Sequence, residues 1–114
     1  EPLKALIKKV KKSPALFGLH ICGETMPIVP ILDNLNADIL SLEDITPKTK
    51  TLKMGGVSTT TIFLGNQKKI DEEVHKALTE PYLILATSCD VPVITPPENI
   101  KTMMNYGVQQ RCCC

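Results

Sequence analysis

Three side chains in this sequence carry the chemistry of a metal centre: His20, Cys22 and Cys89. His20 and Cys22 are two residues apart, so on a β-strand both point to one face. Sixty-six residues separate Cys22 from Cys89, far more than a zinc finger or ribbon allows, so a shared site has to be assembled by the fold. One imidazole and two thiolates with a fourth position free is the ligand count of a catalytic zinc rather than a structural one. Two other readings fit the same residues. They can be ordinary core or rim residues, or a Cys/His nucleophilic pair, although no matching acid stands beside them.

The elements that must position these residues follow from period and punctuation. Leu3, Leu6, Ile7 and Val10 give a helix over residues 2–12 with Lys4, Lys8, Lys9, Lys11 and Lys12 on its wet side. Ser13 and Pro14 stop it, and the apolar run 15–22 reads as a strand buried on both faces and closed by Gly23. A helix with Ile28, Ile31, Leu32 and Leu35 on one stripe comes next, then a strand over 37–42. Thr46 and Pro47 announce a short helix that Gly55 and Gly56 end, and the β-branched run 59–64 reads as the third strand. After Gly65 and Asn66, Ile70, Val74, Ala77 and Leu78 form another stripe, with Asp71, Glu72 and Glu73 in the acidic start that a helix favours and Pro81 at its end. Residues 82–86 form the fourth strand. Thr95-Pro-Pro-Glu98 has capping-box spacing before a last helix carrying Ile100, Met103 and Met104, with Gly107 as its cap.

Strand and helix thus alternate four times, with connections too long for hairpins and strands too apolar to face water. The fold class is α/β with parallel strands and right-handed crossovers, either a small open sheet covered on both faces or half of an eight-stranded barrel. His20 and Cys22 then lie at the C-terminal end of the first strand and Cys89 just after the fourth. That is the end where parallel α/β proteins place their sites.

Composition bounds the function classes. The 114 residues are 43% hydrophobic and 22% charged with a formal net charge of +1, which suits one globular unit and gives no overall field for nucleic acid. No apolar run approaches the roughly 18 residues of a membrane span and no start resembles a signal peptide, so the expected setting is cytoplasmic, with no membrane partner. Five cysteines, three of them the terminal Cys112, Cys113 and Cys114, make a poor disulfide framework. The terminal triplet reads as a frayed or irregular end rather than a lipid or metal site. His75, four residues after Asp71, reads as a surface residue.

A resemblance adds to this. Leu-His20-Ile-Cys22-Gly23 with Thr25 and Pro27, Asp38-Ile-Leu-Ser41, Leu64-Gly65-Asn66, and Ser88-Cys89-Asp90-Val-Pro92 through Thr95-Pro-Pro-Glu98-Asn99-Ile resemble the C-terminal part of the uroporphyrinogen decarboxylase superfamily. Within it the likeness is to the methylcobamide:coenzyme M methyltransferases and related corrinoid methyltransferases, from about Ala15 to Gly107. The resemblance implies a barrel fold of which this chain supplies the C-terminal half: a leading helix over 1–14, four βα units over 15–111 and a tail over 112–114. It also implies zinc held by His20, Cys22 and Cys89, a thiol acceptor bound as its thiolate, and methylcobalamin on a partner corrinoid protein as methyl donor. Contacts to substrate or corrinoid are expected at Ser41, Glu43, Asn66 and Asp90. The family's acidic zinc ligand lies upstream of these motifs, so the fourth position falls to water, the thiol or Glu24.

The chain departs from the family in two loops, having Glu43-Asp44-Ile45 where an Asp-Glu-Lys type of segment is usual and passing from Asn66 directly through Gln67, Lys68 and Lys69 into a helix. It departs also in length, since a full barrel takes about 250 residues. A half barrel leaves sheet edges and an apolar inner face to be covered by a second copy, as in a homodimer, or by the other half. The expectation is therefore a fragment, a truncated reading frame or a half barrel that pairs. Two further readings accompany it: a catalytically incomplete zinc-binding assembly fragment, and a metal-free porphyrin binder of the decarboxylase type.

Overall fold

Alternating apolar residues set the sheet. In the computed structural model, which describes residues 2–109, with side chains through residue 106, four strands run β1 (Gly18–Ile21), β2 (Ile39–Leu42), β3 (Leu52–Val57) and β4 (Leu83–Thr87). They pair in parallel in the order β1-β2-β3-β4. The helices are α1 (Pro2–Val10), a 3-10 turn at Met26–Ile28 leading into α2 (Val29–Asp33), α3 (Thr59–Leu64), α4 (Gln67–Leu78) and α5 (Pro97–Gln109).

Leu40 and Leu42 of β2 are fully buried, and Leu19 and Ile21 of β1 pack with them against Ile7 of α1 and Leu32 and Leu35 at α2. Val57 of β3 and Leu85 of β4 join Ile62 of α3, Ile70 and Val74 of α4, and Ile100, Met103 and Tyr106 of α5 in a second cluster. Every helix therefore packs on one face. A strand order that never reverses, with same-handed crossovers, has this consequence, and it selects the barrel-type sheet over the sheet covered on both sides. The other face carries His20, Ile39, Ser41, Met54, Ile84 and Ala86, with no helix over it among the described residues.

Two elements differ in kind from the sequence expectation. The helix expected from Thr46 is a loop followed by β3. Its backbone donors go to carboxylates instead of to helical carbonyls: Asp44 accepts from the Thr46 amide and hydroxyl at 2.9 Å, and Asp33 accepts from the Lys50 and Thr51 amides and the Thr49 and Thr51 hydroxyls. Lys53 is buried at 4% exposure, and its ammonium donates to the Ile45 and Pro47 carbonyls and to Glu80. Gly55 and Gly56 belong to the strand, not to a helix end. A Cβ on either would stand 2.6 Å from its nearest neighbour, the Leu42 carbonyl oxygen or the Ala77 Cβ, so they mark close packing.

The strand expected over 59–64 is α3. Ser58 caps its start by accepting from the Thr61 amide at 3.1 Å, and Asn99 closes its end by donating to the Ile62 and Gly65 carbonyls at 3.0 and 3.1 Å. These contacts override the β-branched composition of Thr59-Thr-Thr-Ile62.

Smaller corrections concern the helices. α2 is one turn, with Val29, Leu32 and Leu35 buried while Ile28 and Ile31 are exposed. α1 ends at Val10 rather than residue 12, and α5 runs through Gly107 instead of stopping there. Met103 packs in the core and Met104 is exposed. Asp71, Glu72 and Glu73 fall in the second turn of α4, whose cap is Asn66, and Glu73 instead accepts from the Ser58 amide and the Thr61 hydroxyl. The capping box at Thr95 does not form, because the Thr95 hydroxyl is buried without a partner among the described residues. His75 is exposed, as expected, and its ring meets Tyr106 edge-on at 5.1 Å. Cys112–Cys114 lie outside the described residues.

Candidate metal centre

Cys22 and Cys89 stand beyond the C-terminal ends of β1 and β4, the two outermost strands. Three strand spacings separate these strands, about 14 Å across a flat sheet. Yet the two sulfurs are 3.4 Å apart. The curvature of the sheet and the inward fold of both loops close that gap, which is the convergence a barrel mouth requires.

The first loop turns at Gly23, whose φ of 78° favours glycine, and its amide donates to the Glu43 carboxylate beyond β2. The second loop is pinned by Ser88, which is buried at 2% exposure. Its amide donates to the Val57 carbonyl at 2.8 Å and its hydroxyl accepts from the Thr59 amide at 3.2 Å. Thr87 donates its hydroxyl proton to the Cys89 carbonyl at 2.9 Å. The positioning roles of Thr87 and Ser88 were not anticipated from the sequence. The available signal was two small polar residues between an apolar strand and a cysteine.

His20 comes from within β1, where the parallel register sets it directly beside Ser41 of β2. Its Nδ1 is 2.9 Å from Ser41 Oγ, and its Nε2 is 3.2 Å from Cys22 Sγ and 3.6 Å from Cys89 Sγ. The three ligand-type atoms thus form a nearly equilateral triangle. Tetrahedral zinc with bonds of about 2.3 Å to sulfur and about 2.0 Å to nitrogen sets its ligand atoms roughly 3.5–3.8 Å apart. The observed edges are close to that, so the donor set fits the ion in type and in spacing. Cys22 and Cys89 are free thiols, and His20 and Cys22 are exposed while Cys89 is partly buried.

The surroundings of Cys22 favour its protonated thiol. The hydrogen bond with Cys89 raises the Cys22 thiol above its ordinary value, followed by burial and by the charges of Cys89, Glu43 and Asp90. A cation bound beside Cys22 would oppose this, because it favours the thiolate.

The other expected site residues divide. Ser41 supports the imidazole, Glu43 holds the Gly23 amide, and Asp90 follows Cys89 and bears on Cys22 through its charge. Asn66 is occupied as the cap of α4, accepting from the Lys69 amide at 3.0 Å. The only metal-capable cluster among the described residues is His20, Cys22 and Cys89, and Glu24 stands outside it. No helix among the described residues is long and apolar enough to cross a membrane.

Comparison with known proteins agrees with this architecture. The profile of the uroporphyrinogen decarboxylase (URO-D) family matches residues 1–109. Among solved structures, a methyltransferase from Methanosarcina mazei is similar at 28% sequence identity and a TM-score of 0.80, over 96% of this chain. The chain spans 36% of that protein's length. The curated proteins contain no match. With a family match over nearly its whole length and four parallel strands of a partial barrel, the chain belongs to the uroporphyrinogen decarboxylase family.

Proposed function

We propose that this chain carries the zinc centre of a methyltransferase that moves a methyl group from a methylated corrinoid, borne on a partner protein, to a small thiol such as coenzyme M. The observation that carries the reading is the triangle of His20 Nε2, Cys22 Sγ and Cys89 Sγ at the C-terminal end of the sheet, with edges of 3.2–3.6 Å. The similar structure being a methyltransferase supports it.

In this reading His20 supplies a neutral donor and the two cysteines supply two negative charges, so the donor set balances a dication and leaves a fourth position for the acceptor. When bound, zinc converts a thiol of pKa near 8.5 into a thiolate at neutral pH without redox chemistry of its own. In the overall reaction the cobalt–carbon bond breaks with both electrons left on cobalt, giving Co(I). The new bond is carbon to sulfur, and the thiol proton passes to solvent. Glu43 and Asp90, whose charges reach Cys22, stay in the proposal as residues at the approach of substrate or corrinoid. Ser41 and Asn66, which stay in the proposal with them, also have intramolecular partners.

A second reading rests on the same triad and on the 36% span of the matched methyltransferase: a zinc-binding module that does not turn over by itself. Its open sheet face would be covered by a second copy or by the complementary half of a barrel.

Zinc analysis with a methyl-transfer assay separates the readings. The expected result is about one zinc per chain and loss of methylcobalamin absorbance in step with methylation of coenzyme M. Zinc without transfer at high protein concentration leaves the module reading. No zinc at all removes both and favours a metal-free protein of the decarboxylase type.

A further inference from the structure

We infer that Ser41 is a positioning residue for His20: its hydroxyl accepts the Nδ1 proton and so holds the imidazole in the tautomer whose bare Nε2 faces the two sulfurs. The inference rests on the metal-centre reading. It concerns this chain's own hydrogen bonding, which exists with or without metal.

A neutral imidazole carries one proton on one of two nitrogens. Nε2 lies 3.2 and 3.6 Å from Cys22 and Cys89 Sγ, whereas Nδ1 has Ser41 Oγ at 2.9 Å and no other partner among the described residues. With the proton on Nδ1, Ser41 accepts it and the Nε2 lone pair is free for a cation. With the proton on Nε2, the Ser41 hydroxyl donates to Nδ1 instead and the Nε2 proton points at sulfur and blocks that nitrogen, so a cation requires the first arrangement. The contact is built into the sheet, because the register that pairs Gly18 with Ile39 also pairs His20 with Ser41. The partly buried Ser41 is thus held by two strands rather than by a loop. Metal-bound histidines generally use their second nitrogen this way, and loss of the partner weakens metal binding by about 10–100-fold. A neutral hydroxyl on an exposed ring belongs at the lower end, about tenfold.

The test uses the full chain, its Ser41→Ala variant and its Ser41→Thr variant. Long-range proton–nitrogen NMR correlations report the His20 tautomer in the metal-free proteins, and chelator competition reports zinc affinity. Ser41→Ala is expected to shift the tautomer toward Nε2–H and to weaken zinc about tenfold, with Ser41→Thr restoring both. An unchanged tautomer in Ser41→Ala overturns the inference, as does zinc affinity within about twofold of the parent where the parent binds zinc. If the parent binds no zinc, the metal-centre reading fails and the tautomer alone decides this one: a shift in Ser41→Ala that Ser41→Thr reverses upholds it, and no shift overturns it.

Discussion

Replacing Cys22 by serine removes one of the three proposed ligands and leaves a hydroxyl that does not ionise near neutrality. Four-ligand zinc sites in small domains bind with roughly 10–16 kcal/mol, so one ligand is worth on the order of 3 kcal/mol, or about two powers of ten in affinity. The structure turns that into a stability difference, because Cys22 and Cys89 close the sheet across its outermost strands. At free zinc one hundred times the parent dissociation constant, binding stabilises the folded parent by about 2.7 kcal/mol, whereas the variant, at about its own dissociation constant, gains only about 0.4 kcal/mol. For a domain near this size, about 4 °C per kcal/mol converts these gains to melting shifts of about 11 °C and about 2 °C. Differential scanning calorimetry with and without zinc measures both. The comparison is repeated with Cys112, Cys113 and Cys114 changed to serine, which keeps the terminal thiols from supplying the signal. An equal zinc-induced shift in parent and Cys22→Ser, with the tail removed from both, would refute the reasoning.

Other predictions concern the fold and the metal-free site. With sulfurs 3.4 Å apart, mild oxidation of metal-free protein should link Cys22 to Cys89, seen as a cross-linked peptide after digestion, and bound zinc should prevent it. Burial raises the Asp33 carboxyl, but hydrogen bonds from Thr49, Lys50 and Thr51 outweigh it and leave the pKa lowered, while the Phe17 amide and Lys11 lower that of Asp38. Their stabilisation is therefore complete above the unfolded value of about 3.9 and is lost as pH falls through the lower folded values, so Asp33→Asn should flatten the acid limb of a stability–pH curve. Asn99→Ala should cost about 1–3 kcal/mol in urea unfolding, since it strips two carbonyls at the end of α3 of a buried donor.

How legible these features were depended on whether the determinants were local. The strands at 18–21, 39–42 and 83–87 showed as apolar runs, although helices cover only one face of the sheet among the described residues and not both as expected, and α4 showed as a stripe because it buries one face in a repeating pattern. The His20–Cys22 spacing and the position of Cys89 after a strand pointed to one site, and the geometry brings all three together. Residues 46–64 misled, because their structure is decided elsewhere in the chain. Asp33 collects the donors of 49–51, Glu80 and two carbonyls hold the buried Lys53, and Glu73 and Asn99 make a helix of a threonine-rich segment. Glycines in a strand against a neighbouring backbone look, in sequence, like glycines ending a helix. The pairing of Ser41 with His20 comes from the strand register, which the sequence does not show.

The central claim is that His20, Cys22 and Cys89 together hold the ion that activates a thiol. X-ray absorption at the zinc edge of the loaded chain, before and after addition of coenzyme M, tests it most directly. The account predicts one nitrogen at about 2.0–2.1 Å and two sulfurs at about 2.3 Å, with a third sulfur when the thiol is added. A shell of oxygen and nitrogen alone, or a sulfur count that does not change with the thiol, would contradict it.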